Sequence, residues 1–345
     1  MKKNLLIVLA AFISLSAFAQ FNGDKEPFIT KSFKESFSST DVQTTGGNIS
    51  VTGITTGDAK VEVYITSNNG KNNLSKDEIQ KRLDEMYNLD VSVSGNKLVA
   101  IAKSKERIRD WKKALNISFK LFVPKTTAND LSTSGGNISL SNLSGNQDFS
   151  TSGGNLDIDN VSGKIRGRTS GGNIDLANSK DDIEIETSGG NIEAANCEGT
   201  LRLNTSGGNL HFRDLKGNIR GTTSGGNVDG KNISGELFAE TSGGNVHLEE
   251  LLCSVEASTS GGKIYVDVKQ FGKYITLNNS GGNVELSLPG GKGIDLNLEG
   301  DKVKTGRLEN FTGKIEDDEI EGKLNGGGIP VKVRAGSGHI SLALK

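Results

Sequence analysis

The sequence predicts an all-β fold: a two-sided parallel β-solenoid with 18-residue coils and an N-terminal capping insertion that contains one helix. Three observations predict it. The tetrad Ser-Gly-Gly-Asn, or a near copy, returns with a constant 18-residue step at Ser134, Ser152, Ser170, Ser188, Ser206, Ser224, Ser242 and Ser260, and Ser280 follows after a 20-residue step. A repeat that short cannot enclose a core alone, so neighbours must stack. Apolar residues also recur two apart in two short runs per repeat, as at Leu156 and Ile158 and then at Ile165, with Gly167 at the next site. That spacing marks strands with one buried face. Two short strands and two turns fill such a repeat and leave no room for a helix.

The turns and columns follow from the same register. Gly153-Gly154-Asn155 makes one turn and Asn160-Val161-Ser162-Gly163 the other, both from residues that tolerate positive φ. Phe212 shares a column with Ala194 and Gly230, and Phe149 with Gly167, large beside small as a close-packed interior requires. Asparagines at 137, 155, 173, 191, 209, 227 and 245 form a column, broken by Lys263 and resumed at Asn283, whose amides can bond along the stack. The threonines preceding each tetrad serine, Thr133 to Thr259, point inward by strand alternation, so this ladder reads as structural rather than ice-binding. At ~4.8 Å per strand, some nine coils give a rod on the order of 43 Å long.

Residues 1–19 read as a secretory signal, with Lys2 and Lys3, the apolar Leu5 to Leu15 and the Ala17-Phe18-Ala19 cleavage site. Cleavage leaves Gln20 first, where a lipid anchor would need cysteine. No later stretch is apolar enough for a transmembrane segment. An exported product is expected, in the periplasm, on the outer surface or secreted. Without Lys2 and Lys3 there remain 38 basic and 42 acidic residues, a net charge of −4, which argues against nucleic acid as a partner. Of the two cysteines, Cys197 falls in an inward column and Cys253 in a turn-glycine column three coils away, ~14 Å by strand spacing and too far for a disulfide.

The ends are less regular. Residues 20–130 read as the N-terminal cap with a first degenerate coil at Thr45-Gly46-Gly47-Asn48, residues 131–288 as the regular solenoid and 289–345 as C-terminal coils and cap. In the cap, Ser75 and Glu78 make a capping box for a helix with Ile79, Leu83, Met86 and Tyr87 on one face. Strands are expected at Val61 to Ile65, Leu89 to Val93, Leu98 to Ala102, Ile117 to Val123, Leu296 to Leu298, Val331 to Val333 and Ile340 to Leu344, and a charged loop or irregular segment at Lys302 to Lys323. Lys103 to Lys113 is a basic cluster holding Trp111. It suits an anionic glycan or lipid headgroup, but Glu106 and Asp110 interrupt it, and the favoured reading is a solvated hairpin or short helix with Trp111 packed on the cap.

Candidate chemistry is sparse. The outward column Ser139, Asp157, Asp175, Glu193, His211, Asp229, His247, Tyr265, Glu285 is the most suggestive. Asp157, Asp159 and Asp175 lack the ligand pattern of a calcium site, and His211 and His247 lie two coils apart, ~10 Å, too far to share a metal. Acidic pairs on an open face without cleft-forming loops do not make a glycosidase. No catalytic, cofactor-binding or metal-binding residue is assigned, and no enzymatic activity is expected.

The repeated Thr-Ser-Gly-Gly-Asn-Ile, the Thr45-Gly46-Gly47-Asn48 start and the Phe122-Val123-Pro124-Lys125 entry resemble the bacterial "putative adhesin" β-solenoid family over roughly residues 40 to 345. That family is common in exported proteins of Bacteroidetes-like bacteria. The resemblance implies the solenoid fold and a cell-envelope or surface protein, with no binding residues to carry over. The expected function is a rigid scaffold that contacts a surface, glycan or protein partner. The alternatives are a glycan-binding or carbohydrate-active β-helix module and a self-stacking structural polymer.

Overall fold

The alternation of apolar and polar residues becomes a solenoid-like sheet in the computed structural model, which describes residues 26–68, 74–108 and 110–345. The signal segment expected over residues 1–19 lies outside these. The described chain is all-β apart from one α-helix, Lys76–Met86, and one 3-10 turn, Trp111–Lys113. In the strand Leu156–Asp159, Leu156 and Ile158 are buried while Asp157 and Asp159 face outward. In Ser162–Thr169, Ile165, Gly167 and Thr169 are buried.

The strands pair in parallel, each residue beside its equivalent 18 positions on. Ile138–Ser141, Leu156–Asp159, Ile174–Ala177 and Ile192–Ala195 form one ladder. Gln147–Thr151, Ser162–Thr169, Lys180–Thr187 and Glu198–Thr205 form the other. From Leu210 onward the two strands of a repeat run together, as Leu210–Thr223, Val228–Thr241 and Val246–Thr259. A left-handed residue, Asp214, Asn232 or Glu250, bends each in the middle. The offset becomes 20 where Tyr265 pairs with Glu285, matching the longer step to Ser280.

The tetrad glycines act for a different reason than the sequence reading gives. Neither Gly153 nor Gly154 has positive φ. A Cβ on Gly154 would instead lie 1.9 Å from the Gly136 carbonyl oxygen of the preceding repeat, and the same 1.9–2.1 Å clash recurs from Gly136 to Gly282. A Cβ on the first tetrad glycine meets nothing closer than 3.6 Å at Gly153, Gly171, Gly189 and Gly207. Backbone proximity is therefore the constraint at the second glycine alone. Positive φ belongs to the other turn, at Asn142, Asn160, Asn178 and Asn196 and at Gly145, Gly163, Gly199, Gly217 and Gly235.

Two hydrogen-bond ladders run along the stack. The buried Thr151 hydroxyl donates to the Gly136 carbonyl at 2.8 Å and accepts from the Gly154 N–H at 3.3 Å. Thr169, Thr187, Thr205, Thr223, Thr241 and Thr259 repeat this. After the 20-residue step, Asn279 does the same work. Its amide donates to the Gly262 carbonyl, and its Oδ1 accepts from the Gly281 and Gly282 N–H groups. The asparagine column also bonds, but not amide to amide. Each Oδ1 accepts the backbone N–H of the next repeat, as Asn137 does from Asn155 at 2.8 Å. Lys263 receives this contact from Asn245 and has no oxygen to pass on.

Packing agrees with the column assignments. Phe212 pairs with Ala194 and Gly230. Its ring fills the space over Gly221, where a Cβ would come within 2.4 Å of it. Cys197 is buried, as expected. Cys253 is also buried, where its place in a turn-glycine column implies an exposed thiol. It keeps the column, pairing with Gly235, but not the turn: it lacks the positive φ of Gly199, Gly217 and Gly235. The longer following repeat closes over it, with the Lys269 and Gln270 N–H groups on the Leu251 carbonyl and that of Gly272 on its own.

At both ends the strands nearest in space are not nearest in sequence. Ser39–Gln43 and Ile49–Ile54 lie beside Ala128–Ser132 and Ile138–Ser141. On their other side run Lys97–Ser104 and Leu115–Pro124. Antiparallel strands finish this end: Ala59–Ser67 on Leu115–Pro124, Ile29–Phe33 on Ala59–Ser67, and Tyr87–Ser94 on Lys97–Ser104. The helix starts at Ser75, whose hydroxyl accepts from the Glu78 N–H, and buries Ile79 and Leu83. The Glu78 carboxylate takes Arg82 instead of closing the capping box. Trp111 does not pack on the cap as expected: it is 58% exposed.

At the other end Ile329–Ala335 and His339–Leu344 sit beside Ile275–Asn279 and Val284–Leu288. Ile294–Glu299 and Lys302–Thr305 lie outside them. The segment expected as a charged loop is strand: Glu319–Leu324 runs antiparallel to Ile294–Glu299 and carries Phe311–Ile315 on its far side. Ile320 and Leu324 are buried beneath its charged outer residues.

Two expected outcomes follow. Gly190→Ala loses about 2 kcal/mol or more in a chemical denaturation curve, because the clash is with backbone and cannot relax, while Gly189→Ala stays within about 1 kcal/mol of wild type. Equal effects would remove the close-approach account. Burial pushes the Cys197 thiol up to about 11 and that of Cys253 up to about 12, so neither reacts with iodoacetamide in the native protein and both do in denaturant. Native labelling of Cys253, mapped by mass spectrometry, would contradict its placement.

Candidate functional site

Outward residues of the first ladder form two parallel rows. One is Ser139, which is itself buried, then Asp157, Asp175, Glu193, His211, Asp229, His247, Tyr265 and Glu285, paired in that order. The other includes Ala195, Arg213, Lys231 and Glu249. Between them, over inward-facing Ala194, Phe212 and Gly230, lies an open groove of about 400 Å³. Small Ala195 opens one end of it. The strand period builds the groove: residues two apart stand up as walls and the residue between turns into the core, leaving backbone as the floor.

The groove is polar and of mixed charge. His211 Nδ1 lies 3.5 Å from Asp229 Oδ2, and His247 Nε2 lies 3.1 Å from Glu249 Oε1. The His247 and Tyr265 rings stack at 4.7 Å with 14° between their planes. Lys231 leans to Glu250 at 3.5 Å. The structure brings His211 and His247 into one groove, with Asp229 between them on the ladder. His339 lies elsewhere, beside Lys302 in the C-terminal strands. Among the described residues no group of three or more His, Cys, Asp or Glu is placed to hold a metal ion.

The acidic residues weighed from sequence sit further along the row. Asp157 and Asp175 are paired neighbours, and Asp159 accepts the Asn178 amide at 2.7 Å. Burial pushes the Asp157 carboxyl up to about 6, with the carboxylates of Asp175 and Asp159 adding to the rise. Burial first, then Glu193, raises Asp175 as well. Burial is the larger cause of both shifts and the neighbouring carboxylates the smaller.

The second ladder shows the opposite condition. Arg166 and Arg168 meet Glu184 at 3.4 Å, Arg168 also meets Glu186, and Arg202 meets Asp182 at 3.2 Å. Arg220 lies over the Phe238 ring at 3.8 Å. Exposed pairs of this kind add little stability, but they occupy the charges of that face. The first ladder has the groove and the less satisfied charges, so it is the candidate surface. Sequence reading finds its outer row but misses Arg213, Lys231 and Glu249, which the same two-residue step locates.

Residues 174–343, which include the groove, match the family described as Toastrack DUF4097, a domain of unknown function. The chain is similar to that domain. No curated protein matches it. Among solved structures, a protein from Bacteroides fragilis described as a "putative adhesin" is 18% identical, with 73% of this chain and 96% of that one covered and a TM-score of 0.36. A second "putative adhesin", from Parabacteroides merdae, is 16% identical, with coverages of 74% and 97% and a TM-score of 0.28. A "putative cell adhesion protein" from Clostridium sporogenes is 13% identical, with coverages of 92% and 98% and a TM-score of 0.18. Likenesses at this level carry no functional argument.

The raised Asp157 carboxyl gives a pH prediction. Its folded value lies above the unfolded one, so between about 4 and 6 the folded chain holds a proton that the unfolded chain has lost. Stability falls as pH rises through that window, and the full penalty applies above it. Asp157→Asn therefore raises the melting temperature at pH 7.5 and leaves it unchanged at pH 4. An equal change at both pH values would show that the carboxyl is not perturbed.

Proposed function

We propose that the chain is a non-catalytic exported envelope or surface protein. In this reading residues 131–288 form a rigid two-sided solenoid of 18-residue coils between caps at 20–130 and 289–345. The solenoid works as a scaffold that presents its first-strand face to a surface or partner. The observation that carries the reading is the open groove on that face, set on strands joined by short turns. Between Ser134 and Ser260 the strand connections are the tetrad and, before Leu210, a second turn, so no loop closes over the groove to exclude water or orient a bond for cleavage. The threonine and asparagine ladders supply the rigidity.

A polar ligand such as a glycan suits the groove best. Carboxylates, imidazoles and the cations Arg213 and Lys231 line it, and the stacked His247 and Tyr265 rings offer a flat surface at one end. Self-stacking into a polymer is less well supported, because antiparallel strands rather than coils in register finish both ends.

A glycan array read alongside a hydrolysis assay on the same glycans tests the proposal. The expected result is binding without turnover, weakened at least about tenfold by Arg213→Ala with Lys231→Ala. Released reducing ends that persist in a highly purified preparation would overturn the non-catalytic reading. Binding unaffected by the double variant would move the contact away from this groove.

A further inference from the structure

The N-terminal cap carries a second surface, distinct from the groove. The strands Lys97–Ser104 and Leu115–Pro124 lie on the far side of the first repeat from the regular ladders, so the segment joining them lies at the end of the stack. From Lys103 to Lys113 it contains six basic and two acidic residues. Lys103, Lys105, Arg107, Lys112 and Lys113 are exposed, and none of them forms an ion pair among the described residues. The segment is held in place: Ile108 packs against the core, the Lys105 N–H bonds the Met86 carbonyl, and the Arg82 guanidinium reaches the Lys113 carbonyl.

Local acids are committed elsewhere or lie off the turn. Asp110 caps the 3-10 turn by accepting from the Lys112 N–H, and Glu78 is bound by Arg82. Asp84 accepts from the Gln80 amide, and Glu85 and Glu106 are exposed, Glu106 within the basic segment itself. On this turn the chain's one tryptophan stands 58% exposed. The Lys105 ammonium donates to the Asp84 carbonyl, and the other cations have no ion-pair partner among the described residues. An amphipathic indole beside such cations is the combination that seats a protein at a headgroup layer, with the ring at the interface and the cations on anionic lipid.

We propose that this end of the molecule docks on the surface of an anionic lipid bilayer, with Trp111 entering the headgroup region and Lys103, Lys105, Arg107, Lys112 and Lys113 facing the lipid charge. Docking by the cap leaves the first-strand face and its groove free. Among the described residues no helix is long and apolar enough to cross a membrane.

The single tryptophan makes the test specific, since its emission reports this position alone. The chain from Gln20 onward is mixed with phosphatidylcholine vesicles, with vesicles in which about a third of the lipid is phosphatidylglycerol, and with soluble dextran sulfate. The expected result is co-sedimentation and a blue shift of Trp111 emission with the anionic vesicles alone, both reversed by high salt. Lys112→Glu with Lys113→Glu, at an unchanged melting temperature, weakens vesicle binding about tenfold or more. Absence of sedimentation overturns the proposal, as does sedimentation with unshifted emission. A shift with dextran sulfate but not vesicles overturns it in favour of an anionic polysaccharide.

Discussion

Successive repeats approach so closely at the second tetrad glycine that no side chain fits between them. That contact fixes the distance between layers. It also places the Gly136 carbonyl where only the buried Thr151 hydroxyl reaches it, and the same hydroxyl receives the Gly154 N–H. Glycine and threonine are thus two halves of one device, and neither works without the other. A buried carbonyl without a partner would cost about 1–3 kcal/mol per repeat. Where the rhythm breaks, Asn279 keeps the device with one acceptor and one donor of its own. The need is for that hydrogen-bonding pattern rather than for threonine itself.

With the layers fixed by backbone and turn, outward positions are free to vary, and the two faces diverge. One accumulates matched arginine and glutamate pairs. The other collects Asp157, Asp175 and Glu193 at one end and imidazoles, Tyr265 and lysine at the other. The interior tolerates variation too, provided volume is exchanged locally, as between Phe212 and Gly221. Near the N-terminal end it even holds a buried polar cluster, in which Thr40 donates to Asn129 at 2.7 Å and Asn129 to Gln147 at 2.6 Å. Later repeats have Ile165 and Ile183 at those sites. The buried Thr127 hydroxyl beside them has no partner among the described residues, but these three side chains are bonded, and a bonded polar layer is compatible with a core. Reversal of chain order at the ends closes the stack with antiparallel strands, whose edges carry charged residues such as Lys314 and Lys31.

Much of this is legible in the sequence because the period converts position into neighbourhood. The inward threonines, the Phe212 column, the buried Cys197 and the outer row through His211 follow from counting alone. What counting misses has physical reasons. The tetrad glycines resemble a positive-φ turn because composition does not distinguish conformational freedom from lack of room. Cys253 changes environment because the following repeat is longer, an effect carried by its neighbour and not by its own position. The strand Glu319–Leu324 hides in a charged run since it pairs antiparallel on one side of a terminal layer and exposes the rest. Trp111 reads as a core residue by type, but Ile108 takes the inward place. The groove is half legible: one wall follows from the count, and the wall two residues on escapes it.

The central claim is that one 18-residue coil makes one interchangeable layer. Removing Gly172 through Gly189 deletes one whole layer and joins Gly171 to Gly190, restoring an intact tetrad. Removing Asn173 through Gly189 takes one residue fewer and puts an extra glycine into one tetrad turn, so the repeats on either side of it are one residue out of step. Circular dichroism with thermal melting of both chains decides the matter. The account predicts that the first keeps a β-sheet spectrum and a single cooperative transition near that of the full chain, while the second melts clearly lower. Equal tolerance of the two deletions, or equal collapse, would contradict it.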